Sequence, residues 1–297
     1  MQMREQLVMR QQLEQVLQTL GDRSPIQEIR PVAGGDINRV YCVQTAGRKY
    51  CVKWNEKLPP GFFAKEAEGL ERIRQSGAIA VPHVYAVQED LPERAGLLVL
   101  EWVEGAKTAA TDEQLGRGVA ALHQTAGPAF GWESDTYIGT LPQPNRWYRQ
   151  WSDYYRECRL LPQLELGKRL GRMSGQRGRR LEKVIGQLEQ WLPKQALPSL
   201  LHGDLWSGNW LVGPAGRPYL IDPSVCYGHD EFELAFTELF GGFSERFYRS
   251  YREVRPVSAE YAERKPLYQL FYLLVHLNLF GEAYGPAVDR ILQRYAG

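Results

Sequence analysis

Apolar positions follow two different periods along the chain, and the change of period divides it. Between 29 and 102 they come mostly in short runs with alternation. Strands are predicted at 29–33, 40–44 and 49–54, with a turn at 45–48, and again at 81–87 and 97–102. One helix interrupts them at 62–75. Phe63, Leu70 and Ile73 mark its apolar face, and Gly77 is a fitting stop. The leading stretch 1–21 is polar and charged throughout, so it reads as a surface helix without a secretory apolar core. Beyond 110 the helical period takes over. Thr111 with Gln114 forms a capping-box pattern for a helix at 111–125, striped by Leu115, Val119 and Leu122. Leu181, Val184, Leu188 and Trp191 continue an amphipathic helix that Pro193 stops. Further helices are predicted at 230–240, 243–251, 261–280 and 286–295. A strand-rich first third followed by a helix-rich remainder predicts an α+β chain of two lobes. The smaller, antiparallel-sheet lobe spans 1–101 and the larger, mainly helical lobe 102–297.

Composition changes this picture little. The 297 residues can bury a sizeable core. Hydrophobic residues at 43% and charged residues at 24% are ordinary globular usage. A net charge of +1 gives no global attraction to nucleic acid or an acidic membrane, so neither partner is expected. The most apolar run, 270–280, is too short to span a bilayer and contains His276 and Asn278. Cys42, Cys51, Cys158 and Cys226 form no Cys-x-x-Cys pair and read as reduced, mostly packed thiols of a cytoplasmic protein. A Cys42–Cys51 pairing across a hairpin is the alternative. Six cations and no anion fall within 167–180; a solvated loop and helix start is the preferred reading and a contact to RNA or another polyanion the alternative, against which stands that no aromatics interleave.

The candidate chemistry centres on 200–235, LLHGDLWSGNWLVGPAGRPYLIDPSVCYGHDEFELA. His202-Gly203-Asp204-Leu205 is followed by Asn209, and the apolar run Tyr219-Leu220-Ile221 delivers Asp222. Gly213, Pro214 and Gly216 make a hairpin turn between them. Phosphoryl transfer from a nucleotide needs one carboxylate for the acceptor hydroxyl's proton, and an amide with a second carboxylate for magnesium. In the protein-kinase signature these are the Asp of H-R-D-L, the Asn after it and the Asp of D-F-G. Here they are Asp204, Asn209 and Asp222. The strand Tyr50-Cys51-Val52-Lys53 resembles the V-A-I-K pattern, so Lys53 is a phosphate-positioning candidate. Its helix partner is Glu66 or Glu68. Glu66 is preferred because Phe63, Leu70 and Ile73 supply a packed face. Gly34-Gly35 lets backbone approach a phosphate or merely turns a hairpin. Glu101-Trp102-Val103-Glu104-Gly105 is an adenine-binding linker or a plain strand exit. His123 reads as a capping or core histidine. Trp147, Tyr148, Trp151, Tyr154 and Tyr155, with Gln143, Asn145, Asp153 and Arg159, form a core at helical spacing or a wall for a polyol. Neither a G-x-x-x-x-G-K-[ST] loop nor a G-x-G-x-x-G fingerprint is present, which argues against P-loop and Rossmann enzymes.

Over nearly its whole length the chain resembles the fructosamine/ketosamine-3-kinases, a branch of the protein-kinase-like fold near the aminoglycoside phosphotransferases. HGDLWSGN at 202–209 and LIDPSVCYGHDEFELAFTELFGGF at 220–243 carry the resemblance most specifically. GGDIN at 34–38, CVKWN at 51–55 and LVLEWVEG at 98–105 agree. So do FGWESDTYIGTLPQPN at 130–145 and RKPLYQLFYLLVHLNLFG at 264–281. The resemblance implies ATP- and Mg2+-dependent phosphorylation of O-3 of a ketosamine, borne by a small molecule or a protein, after which the adduct breaks down. It implies Asp204 as proton acceptor, Asn209 and Asp222 on magnesium, and Lys53 with Glu66 on the phosphates. Gly34, Gly35, Asp36, Ile37 and Asn38 would cover the phosphates. Glu101, Trp102 and Val103 would be the adenine hinge. A monomer is favoured. Asp36 stands where some members carry a cysteine that supports a redox switch, so that switch is not expected. Thr136 replaces a common Asn, which leaves the substrate contacts there open. Pro223-Ser224 follows Asp222 and no A-P-E follows, so no phosphorylated activation loop is expected. The alternatives are a kinase of aminoglycoside or choline type, and a non-catalytic nucleotide-binding protein.

Overall fold

The computed structural model describes residues 2–33, 37–89 and 95–297, the side chains of 2–6 excepted. The chain groups into two compact units: 1–108 with 211–222, and 109–210 with 223–297. A single linear boundary misses the return of 211–222 to the first unit. Among the described residues, no helix is long and apolar enough to cross a membrane.

The first unit starts with α1 (Gln2–Thr19), then β1 (Ile26–Val32), β2 (Arg39–Thr45), β3 (Lys49–Asn55), α2 (Phe62–Ser76), β4 (Val84–Gln88) and β5 (Gly96–Glu101). The strands form one antiparallel sheet in the order β1-β2-β3-β5-β4. Helix α1 is more than a surface helix. Met9, Leu13, Val16 and Leu17 lie one helical turn apart and are buried on Tyr41, Val43, Tyr50, Val52, Trp54, Leu97 and Val99. Lys53 alternates to the opposite sheet face from Val52 and Trp54. Helix α2 enters from Gly61, in the left-handed region at φ 73°, and ends at Gly77, φ 67°. The Glu89 carboxylate accepts the Phe63 N–H at 2.6 Å, satisfying a donor that the first turn leaves open. Strand β4 begins at Val84, three residues later than the alternation predicts. The hairpin Trp210–Val212 with Pro218–Leu220 joins this unit from Leu211 on. The Leu220 N–H donates to the Ala80 carbonyl at 2.9 Å.

The second unit is mainly helical: α3 (Thr111–His123), α4 (Trp151–Tyr155), α5 (Leu161–Arg169), α6 (Gly175–Ile185), α7 (Asp230–Thr237), α8 (Glu245–Val254), α9 (Tyr261–Phe280) and α10 (Gly285–Ala296). Ala110 occupies the cap position of α3, so Thr111 is its first helical residue and the predicted capping box is not formed. A π-helical turn, Arg156–Leu160, joins α4 to α5, and Pro162 follows with no N–H to give to an i−4 carbonyl. Short strands Ser199–Leu201 and Cys226–Gly228 pair antiparallel and flank the His202–Asn209 region in sequence. Helix α7 is buried along its whole length, and α9 buries Leu267, Leu270, Phe271, Leu274 and Leu277.

Helices α3 and α8 approach closely because Gly116 has no side chain. A Cβ there would lie 2.3 Å from the Phe247 carbonyl oxygen. Gly116→Ala is therefore predicted to destabilise the second unit by about 1–3 kcal/mol through forced separation of the helices. Denaturant unfolding of wild type and variant measures this, and an unchanged midpoint would contradict it.

Candidate active site

In the first unit, Lys53 Nζ on β3 is buried and donates to Glu66 Oε1 on α2 at 2.6 Å. It also pairs with the Asp222 carboxylate at the end of the returning hairpin. Glu68 instead pairs with Lys65 at 2.9 Å on the more exposed side of the helix. Helical spacing explains the choice: Glu66, Phe63, Leu70 and Ile73 share the buried face. Burial disfavours the Lys53 ammonium, but Asp222 and Glu66 outweigh it, and its pKa moves up. Burial pushes the Glu66 carboxyl up to about 7, against the lowering by Lys53, and the nearby Asp222 charge adds to the rise. One cation thus stands between two carboxylates. Asp222 is held at φ 56°, a left-handed conformation uncommon outside glycine.

The other predicted residues of this unit are tied to their neighbours. Asn55 Nδ2 donates to the Ile37 carbonyl and to Asn38 Oδ1, both at 3.0 Å, so the end of β3 fastens the segment after the glycines. Gly34, Gly35 and Asp36 lie outside the described residues. The Glu101 N–H donates to the His83 carbonyl at 2.8 Å, and its carboxylate accepts the His83 N–H. Trp102 Nε1 donates to Glu104 at 2.9 Å. Val103 packs beside Gly213 of the hairpin.

In the second unit the His202–Asn209 loop is held by its backbone. The Glu233 carboxylate on α7 accepts the His202 N–H at 3.0 Å and the Gly203 N–H at 2.5 Å. His123, a core histidine, lies 2.8 Å from the same carboxylate through Nε2 and 2.7 Å from the Tyr251 hydroxyl through Nδ1. Tyr272 donates to the Gly203 carbonyl at 3.2 Å. The Ser224 N–H donates to the His202 carbonyl at 2.8 Å. Gly203 has φ 87°, and a Cβ there would lie 1.8 Å from the Ser224 carbonyl oxygen. Only glycine fits the position where H-R-D-L carries arginine. Asn209 Nδ2 donates to Asp204 twice, to its carbonyl at 2.8 Å and to Oδ2 at 3.1 Å. The amide orients the carboxylate and keeps its own oxygen free to face elsewhere.

The polyol-wall reading of the aromatic segment does not hold for most of its members. Trp151, Tyr154 and Tyr155 are core residues. Trp151 sits among the rings of Phe130, Phe232 and Tyr268. Gln143, Asn145 and Arg159 are buried in a network of their own: Gln143 donates to Thr136 and Ser224, Tyr154 donates to Asn145, and Arg159 donates to Asn145, Tyr154 and the Pro144 carbonyl. Asp153 pairs with Arg156. Trp147 stays exposed at 42%, as does Trp206 at 41%, a ring inside the HGDLWSGN loop that spacing did not single out.

A family model described as fructosamine kinase matches residues 8–296. A Synechocystis protein named Probable ketoamine kinase is 40% identical over 285 residues, 95% of this chain and 94% of that one. The Arabidopsis thaliana Protein-ribulosamine 3-kinase, chloroplastic, is 34% identical over 93% of this chain and 85% of its own. The chain belongs to the fructosamine kinase family. It is therefore a phosphotransferase. A solved protein of Thermobifida fusca, whose name carries fructosamine-3-kinase as a provisional assignment, superposes with TM-score 0.82 at 31% identity, covering 94% of this chain and 96% of that one. Aminoglycoside phosphotransferase APH(4)-Ia superposes with TM-score 0.64 at 17% identity, covering 96% and 98%, which establishes the shared kinase-like α+β fold.

In this fructosamine kinase family member, burial raises the Glu233 carboxyl, but the His123 bond and charge, with the bond from the Gly203 N–H, hold it below the usual glutamate range. A depressed folded pKa stabilises above the unfolded value and is lost as pH falls through the folded one. Acid should therefore destabilise the second unit from about pH 4.3 downward. Glu233→Gln should remove that part of the pH dependence and cost about 2–4 kcal/mol at neutral pH. Unfolding curves from pH 3 to 8 measure both. An identical acid slope in the variant would contradict the assignment.

Proposed function

We propose that the chain transfers the γ-phosphoryl group of ATP to the O-3 hydroxyl of a ketosamine, a sugar joined to a small amine or a protein lysine. The observation that carries this reading is the buried Lys53 flanked by Glu66 and Asp222, in a chain of this family. In this reading Lys53, ordered by Glu66, positions the α- and β-phosphates. The segment Gly34, Gly35, Asp36, Ile37 and Asn38 covers them, and Glu101, Trp102 and Val103 line the adenine.

Asn209 and Asp222 are oxygen donors of the kind that suits magnesium. The Asn209 nitrogen is directed at Asp204, so its carbonyl oxygen is the atom it offers, and the Asp222 carboxylate is partly exposed. Bound magnesium supplies charge neutralisation for the phosphates. Asp204, oriented by Asn209, accepts the proton as the O-3 oxygen bonds to the γ-phosphorus and the bond to the ADP oxygen breaks. The exposed Trp206 ring, two residues after Asp204, offers a flat apolar face to the sugar. With the phosphate at C-3 and a carbonyl at C-2, loss of a proton from C-1 allows the phosphate to be expelled. The adduct then hydrolyses and frees the amine, which is deglycation. The reading places this chemistry in the cytoplasm.

Asp204→Asn is predicted to lower phosphoryl transfer by at least about 100-fold with ATP affinity nearly unchanged. Asp222→Asn is predicted to weaken Mg-ATP binding instead. Turnover and nucleotide titration on both variants separate the roles, and equal effects on binding would contradict them. With wild type, turnover of choline or an aminoglycoside while ketosamines stay untouched would replace the substrate class.

A further inference from the structure

Cys42 on β2 and Cys51 on β3 face each other directly in the antiparallel register. The hydrogen-bonding parity of that pair follows from the turn. The Thr45 N–H donates to the Arg48 carbonyl at 2.9 Å, so 45/48 is a hydrogen-bonded pair. Counting back, 44/49 is open, 43/50 bonded and 42/51 open. In an open pair the Cα atoms stand about 4.5 Å apart and the side chains are at their closest. That spacing falls within the range a disulfide spans, roughly 4.4–6.8 Å. Both thiols are free in the structure. They point to the sheet face that also carries Lys53, two residues beyond Cys51. Arg30 on β1 pairs with Cys42 on its other side, so one row across the sheet reads Arg30, Cys42, Cys51, Leu100.

We propose that Cys42 and Cys51 are a reversible dithiol–disulfide pair on the Lys53 face of the sheet. Burial pushes both thiols up, Cys51 to about 12, and nearby cations oppose it at each, Arg30 and Lys49 at Cys42 and Lys53 at Cys51. A small peroxide passes one oxygen to one of the two sulfurs, giving a sulfenic acid and one water. The facing sulfur attacks that sulfur, the S–S bond forms, and the oxygen leaves as a second water. In all, two thiols and one hydrogen peroxide give one disulfide and two waters, and a dithiol reductant reverses it. The bond fixes β2 against β3 two residues from Lys53, which changes how that ammonium meets a nucleotide.

The test is hydrogen peroxide treatment of the native full-length chain, read by intact mass and tryptic mapping. The expected result is the loss of two hydrogens and a linked peptide pair, 40–48 with 50–53, both reversed by dithiothreitol. Cys158 and Cys226, which belong to the second unit, should remain thiols. Cys42→Ser and Cys51→Ser should each abolish the linked pair, and making both keeps the test valid if one variant fails to fold. Oxidised protein that keeps four thiols, stops at an uncoupled sulfinic acid, or links Cys42 or Cys51 to another chain would overturn the proposal. The mass readout needs no substrate, so it stands or falls separately from the kinase reading. A fluorescent-nucleotide titration of oxidised and reduced protein then reads the consequence. Weaker binding after oxidation in wild type, absent in Cys51→Ser, is expected, and equal binding in both states overturns the coupling to Lys53.

Discussion

The first unit depends on one buried ammonium. Removing Lys53 from water costs several kcal/mol unless opposite charges and hydrogen bonds replace its hydration. Glu66 and Asp222 do so, and each comes from a different element. The sheet supplies the cation, α2 the first carboxylate, and the chain must return after more than a hundred residues to supply the second. That demand explains the hairpin of 211–222 inside a unit otherwise made of residues 1–108. It also accounts for where unusual backbone is found. Among the described residues, the two non-glycine positions with positive φ are Ala215 and Asp222, both in this hairpin. Backbone strain at a site is tolerated when surrounding bonds over-determine it, and the Lys53 pairing is such a bond.

The second unit solves a different problem, holding an irregular loop in place without regular hydrogen bonding. A single buried carboxylate, Glu233, takes two successive loop N–H groups and a histidine. Charge-assisted bonds of this kind are about twice as strong as neutral ones. With Gly203 pressed on the Ser224 carbonyl and Tyr272 on its own, the backbone around Asp204 is fixed from three sides. The Asp204 side chain is then oriented by Asn209, five residues on. In the proposed reaction, such support beneath Asp204 would make its positioning effective.

Much of this was legible in the sequence, for physical reasons that differ by residue. Period two against period 3.6 separated the sheet from the helices because burial on one face imposes it. Glu66 could be preferred over Glu68 because helix geometry places it with Phe63, Leu70 and Ile73. The buried face of α1 was harder to see, since charged residues surround Met9, Leu13, Val16 and Leu17. Thr111 fitted a capping box by type and spacing, but the helix starts one residue earlier than a Thr cap requires. Trp151, Tyr154 and Tyr155 could serve a core or a wall by spacing, and only tertiary packing decides that. Glu233 carries no local signal, because its partners lie 30 and 110 positions away. The need for glycine at 203 likewise comes from Ser224, a contact no local pattern encodes.

The proposed reaction is phosphorylation of a ketosamine at O-3, and proton–phosphorus correlation NMR of the product formed from Mg-ATP and a synthetic fructosamine reads the acceptor position. A new phosphorus signal coupled to the proton on C-3 of the sugar, absent with Lys53→Met, is expected. A phosphate coupled to any other sugar position, or no product from a protein that binds Mg-ATP, would contradict it.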